Sequence, residues 1–124
     1  MPKFKFGKDQ RLLRASEFQE VFDLNTCKIS HPNWLLLAKF NTSHGSRLGL
    51  VIGKKNIPTA VGRNYVKRLA RETFRKSDFP CSIDVIFLAR KGADKLNPQD
   101  MALLLQESWC RLRQRCEASK AKNA

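Results

Sequence analysis

Acidic residues are scarce in this 124-residue chain: eleven Asp and Glu stand against twenty-four Lys and Arg. Those acids are scattered, whereas a phosphodiester hydrolase of the two-metal kind needs clustered carboxylates. Histidine is scarcer still, with only His31 and His44, both read as solvated loop residues. The four cysteines, at 27, 81, 110 and 116, contain no Cys-x-x-Cys pair, which argues against a zinc site. Cys110 and Cys116 would point about 240° apart on a helix. All four read as buried or surface thiols of a reducing compartment. No Cys–His or Ser–His pairing marks a nucleophile, so neither catalytic residues nor metal ligands are expected. No apolar run reaches the roughly 18 residues of a membrane span, and no signal-peptide segment follows the basic N-terminus. A cytoplasmic protein with no membrane partner is the expectation.

What is present is positive charge. The net charge is +13 and the isoelectric point about 10.1. That is the electrostatic footprint of a nucleic-acid binder, since each neutralised phosphate releases a condensed counterion. Apolar residues make up 42%, enough for one folded domain without metals or disulfides. Residues 1–124 are read as that single domain, with a flexible basic arm at 1–11 and a fraying basic tail from Arg113 to 124.

Along the chain, Ser16-x-x-Gln19 reads as a capping box opening a short helix, with Phe18, Val21 and Phe22 at helical spacing. Strands are expected over Cys27–Ser30, Trp34–Phe40 and Arg47–Gly53, the last two joined by a hairpin loop at Thr42–Ser46. A basic loop containing Lys54 and Lys55 leads into a helix from about Thr59 to Lys76. A strand over Ile83–Arg90 and a final helix follow, the latter with Asn97 as N-cap and Pro98 in its first turn. Trp109 in that helix is read as core. The order αβββαβα predicts a two-layer α/β sandwich on one mixed sheet.

The most specific stretch is Gly62 to Arg75. On a helix at about 100° per residue, Arg63, Asn64, Lys67, Arg68, Arg71 and Arg75 share one arc of roughly 140°. Phe74 strays into that arc, and the acid Glu72 lies at its margin. A solvated helix face ordinarily mixes signs for i, i+4 pairing. Five like charges on one face repel each other, and a polyanion is their natural partner.

Arg63-Asn64-x-x-Lys67-Arg68-x-x-Arg71 preceded by Lys54-Lys55 resembles the signature of the bacterial ribonuclease P protein family. So do Arg11-Leu12 ahead of Phe18 and Phe22, Arg47-Leu48-Gly49-Leu50, and Asp84–Arg90 running into Lys91-Gly92. The resemblance implies an α/β sandwich with a left-handed βαβ crossover, the rare hand for such connections. It implies a protein subunit whose RNA partner performs magnesium-dependent removal of the 5′ leader from precursor tRNA, the magnesium held largely by RNA. In that scheme the Arg63–Arg71 helix meets the catalytic RNA. A cleft lined by Phe18, Phe22, Leu35 and Leu37 takes the leader. Spacing alone leaves Phe18 and Phe22 as either core residues or stacking platforms for unpaired bases. Tyr65 replaces the family's third-position arginine; off the cationic arc, it either packs in the core or stacks on a base.

Three other readings compete. A structural RNA-binding protein of ribosomal type predicts the same charge and architecture, and only the RNA it captures separates the two. A DNA binder would vary the polar residues of its major-groove helix to read base edges. Five cations with one Asn instead suit phosphates, which position without specifying. A protein-only nuclease lacks its acid cluster.

Overall fold

The structure, a computed structural model, describes residues 15–41, 45–77, 79 and 82–122, with the backbone alone for 119–122. The basic arm 1–11, Arg11-Leu12, His44 and Cys81 lie outside the described residues. Helix α1 spans Ala15–Leu24, followed by β1 (Cys27–His31), β2 (Trp34–Phe40), β3 (Arg47–Val51), α2 (Ala60–Lys76), β4 (Ile83–Ala89) and α3 (Pro98–Lys122). A 3-10 turn, Ala93–Lys95, precedes α3.

The sheet runs in the order β1-β2-β4-β3. β1 pairs antiparallel with β2 and β2 with β4, while β3 and β4 are parallel. The expected hairpin between β2 and β3 is therefore not formed. β4 inserts between them and pairs in full with β2, from Trp34↔Ala89 to Phe40↔Ile83. The crossover that the family resemblance calls for is β3–α2–β4. β4 is buried on both of its faces, as a central strand covered by helices on either side requires.

Period-two alternation sorts the sheet into two faces. Trp34, Leu36 and Ala38 of β2, with Val85 and Phe87 of β4, pack under α2 and α3 in the main core. Leu37 and Ile86 face the other way and meet Val21 of α1, with Phe18, Leu35, Val51 and Leu88 half-buried around them. Both tryptophans sit in the main core and satisfy their ring N–H groups, as buried indoles must. Trp34 donates to Ser108 Oγ at 2.9 Å and Trp109 to Thr73 Oγ1 at 2.8 Å.

Of the two expected helix caps, Asn97 forms and the Ser16 box does not, while Thr59 supplies a cap that was not expected. Thr59 caps α2 by accepting from the Gly62 N–H at 2.9 Å, and Asn97 Oδ1 accepts from the Asp100 N–H at 2.8 Å. Ser16, by contrast, lies inside α1, and Gln19 bonds to Asp23 at 3.0 Å rather than closing a capping box. The final helix does not stop near Arg113 but continues to Lys122. Cys116 explains why: its thiol is buried and lies 3.1 Å from Cys27 Sγ on β1, so this stretch still has an apolar face to cover. His31 is not a solvated loop residue either. It ends β1 and stacks on Trp34, ring centroids 4.2 Å apart.

Candidate nucleic-acid interface

The basic face of α2 is set by where the helix buries its other side. Val66, Leu69, Ala70, Thr73 and Phe74 are buried, and Phe74 packs against Trp109 at 5.2 Å and Phe79 at 5.4 Å. The helical wheel puts Phe74 on the polar side. Contact with α3 rotates the buried sector toward it, and Arg63 turns with it.

Arg63 is consequently half-buried. Its guanidinium donates to the Ile57 and Pro58 carbonyls at 3.0 and 2.9 Å, folding the entry loop against the first turn. Of the predicted RNA-facing residues, Asn64 and Arg68 are exposed, and Lys67, Arg71 and Arg75 are half-buried along the same outward arc. None of Lys67, Arg68 and Arg75 takes part in an ion pair among the described residues. Lys54 and Lys55 are exposed in the loop that leaves β3. Asn56 ties that loop to the sheet through the Ala89 carbonyl at 3.1 Å.

Gly62 opens this motif for a steric reason. A Cβ there would stand 2.8 Å from Thr59 Oγ1 and 3.0 Å from Asp94 Oδ2, displacing the cap and the 3-10 turn together. Tyr65 resolves the motif's departure. Its hydroxyl donates to the Leu96 carbonyl at 2.7 Å, clasping α2 to the segment before α3. Burial raises its pKa, with Arg68 opposing. Tyr65 therefore packs against the protein.

The residues of the second predicted site lie between α1 and the sheet. Val21 is the fully buried residue of α1, whereas Phe22 is 39% exposed and Phe18 half-buried. Phe22 is thus no core residue. On the sheet side Leu35 is half-buried beside Leu88 and Val51, but Leu37 is covered beneath Val21. Leu37 is floor support and offers no surface to a ligand.

Sequence reasoning missed what holds α1 in place. Arg47 donates from Nε to Asp84 Oδ1 and from Nη2 to Asp84 Oδ2, both at 2.7 Å, and from Nη1 to Glu17 of α1. The Asp84 hydrogen bond, more than burial opposes it, raises the Arg47 pKa further. The only signal for this clamp was an acid inside an apolar strand.

Carboxylates are otherwise dispersed: Glu20 meets Lys39 at 3.8 Å and Asp100 accepts from the Asn97 side-chain amide at 3.0 Å. No group of three His, Cys, Asp or Glu side chains converges among the described residues. No helix among them is long and apolar enough to cross a membrane.

Comparison with known proteins agrees over nearly the whole chain. The family model described as Ribonuclease P matches residues 6–113. The chain is 44% identical over 115 residues to the ribonuclease P protein component of Saccharophagus degradans, covering 92% of this chain and 85% of that one. It is 39% identical over 120 residues to the ribonuclease P protein component of Marinobacter nauticus, covering 96% and 90%. Among solved structures it resembles a Staphylococcus aureus RNase P protein, a mutant with defective mRNA degradation activity. That match has a TM-score of 0.73 and 25% identity, covering 89% and 90% of the two chains.

Proposed function

The chain belongs to the ribonuclease P protein family, and from that premise we propose how its surfaces divide the work of a ribonucleoprotein enzyme. It is the protein subunit of the enzyme that matures the 5′ end of tRNA, and its partner is RNA. The outward arc of α2, from Asn64 through Lys67, Arg68 and Arg71 to Arg75, docks on the catalytic RNA, with Lys54 and Lys55 beside it. Arg63 serves that face indirectly by fixing the entry loop. The cleft of Phe18, Phe22 and Leu35 takes the single-stranded 5′ leader of precursor tRNA, its aromatic rings stacking on bases without regard to sequence. Magnesium is held by the RNA, a division supported by acidic side chains that do not converge in any group of three among the described residues. The protein works in the cytoplasm, where such RNA is made and processed. Neither DNA nor membrane is a partner, and ribosomal RNA is not the target.

The observation that carries this reading is the cationic arc of α2, whose Lys67, Arg68 and Arg75 have no acidic partner among the described residues. Replacing Lys67 and Arg68 together by Ala tests it. For each phosphate left without its cation, the log–log salt dependence of catalytic-RNA binding should flatten by about 0.7–0.9. Affinity should fall while the melting temperature stays close to that of the parent. Unchanged affinity and slope would remove α2 from the interface.

A further inference from the structure

A second group of cations surrounds the free edge of β1, away from α2. Cys27 and Ile29 point into the main core, so Lys28 and Ser30 alternate to the α1 side of the sheet and are exposed. Arg90, two residues past Leu88 on that same face, donates to Ser30 Oγ at 3.0 Å and to the His31 carbonyl at 2.8 Å. From the opposite face, Arg115 of α3 reaches round the edge and donates to the Lys28 carbonyl at 3.0 Å. Exposed Arg111, one turn earlier on α3, lies close enough to His31 to disfavour its protonation, as does Arg90. Glu107 is the acid felt there, and Glu117 lies further along α3. Neither forms an ion pair with these cations among the described residues.

The position of this edge matters as much as its charge. Lys54 and Lys55 follow β3, at the other end of the strand order, and the catalytic RNA is assigned to that side. Three interstrand gaps of about 4.8 Å separate β3 from β1, roughly 14 Å in all. A single strand entering beside Lys54 and Lys55 and crossing the α1 face of the sheet would reach Lys28, Ser30 and Arg90. We propose that the edge formed by Lys28, Arg90, Arg111 and Arg115 is a subsite for the leader's backbone phosphates, beyond the stretch that lies under α1. This rests on the assignment of the leader to the cleft. The contacts are charge to phosphate, so they add affinity for longer leaders without sequence preference.

The test uses the reconstituted holoenzyme and two precursor tRNAs, one with a leader short enough to end within the cleft and one several nucleotides longer. Wild type should bind the longer precursor more tightly, and the increment should shrink with salt. Arg111→Gln with Arg115→Gln should abolish that increment and lower the salt slope for the long leader by about 1.4, at 0.7 per single-strand phosphate contact. Affinity for the short-leader precursor, for mature tRNA and for the catalytic RNA alone should be unchanged. Lys28→Gln should reproduce part of the loss from a different element, which excludes a local defect in α3. A double variant that keeps the long-leader increment overturns the proposal, as does a wild type with no increment. Equal losses for mature tRNA or for the catalytic RNA would assign the edge to another partner and overturn it too. Phe22→Ala reports separately on the cleft: if it leaves short-leader affinity intact, the cleft assignment fails whatever the arginine variants show.

Discussion

Single residues carry two sharp expectations. His31 accepts the Asn33 N–H at Nδ1 (3.0 Å) and stacks on Trp34. Burial, then Arg111 and Arg90 against the opposing Glu107, lowers its pKa from the usual 6.5. The unfolded chain therefore binds this proton more readily than the folded one, and stability contributed by neutral His31 is lost as pH falls below about 6.5. Melting temperature should drop between pH 7.5 and 5, and His31→Gln should remove most of that drop; parallel pH profiles would acquit His31. Phe22 sharpens the cleft question. At 39% exposure its truncation should cost well under the roughly 3–5 kcal/mol of a buried phenylalanine. Leader binding should weaken by about 1–3 kcal/mol, the value of one stacked base. A large melting loss with unchanged preference for leader-bearing substrate would reverse the assignment. Spacing showed which residues shared the face of α1, but not how deep that face sat. The reason is that Val21, between the two aromatics, is the residue α1 buries.

Elements were legible where the signal was local. The bounds of β2 and the α3 cap follow from side chains within a few positions of one another. Pairing was not legible, because β4 is separated from β2 by some forty residues and competes with β3 for the same edge. The wheel located the cations of α2 yet misplaced Phe74 and Arg63, because only contact with α3 decides the rotation of the buried sector. The Arg47 clamp is likewise tertiary: it joins α1, β3 and β4. Asp84 is 5% exposed, and Arg47→Ala would leave it with Asn41 as its remaining side-chain donor, at 2.8 Å. Stripping one partner from a buried pair costs about 3–5 kcal/mol, and α1 also loses its Glu17 anchor. Chemical denaturation should show a loss in that range. A change below about 1 kcal/mol would mean that Val21 alone seats α1.

At the scale of the molecule, the chain carries a charge of +13 on 124 residues, and among the described residues the cations that follow β3 and the β1-edge cations lie at opposite ends of the strand order. On the function proposed above, such a molecule would contribute by positioning and by neutralising phosphates. That role makes a distinctive prediction about magnesium. Bringing a precursor tRNA against a catalytic RNA requires two polyanions to approach, and either protein cations or divalent ions can offset the repulsion. The protein should therefore confer its largest advantage in leader removal at low magnesium, with the advantage narrowing as magnesium rises. The isolated protein should cleave nothing at any magnesium concentration, since no group of three His, Cys, Asp or Glu side chains converges among the described residues. Leader-cleavage rates measured for RNA alone, protein alone and the two together, across a magnesium series, decide the matter. Magnesium-dependent 5′ cleavage by rigorously RNA-free protein would place the chemistry in this chain. A protein advantage independent of magnesium would show that charge neutralisation is not what it supplies.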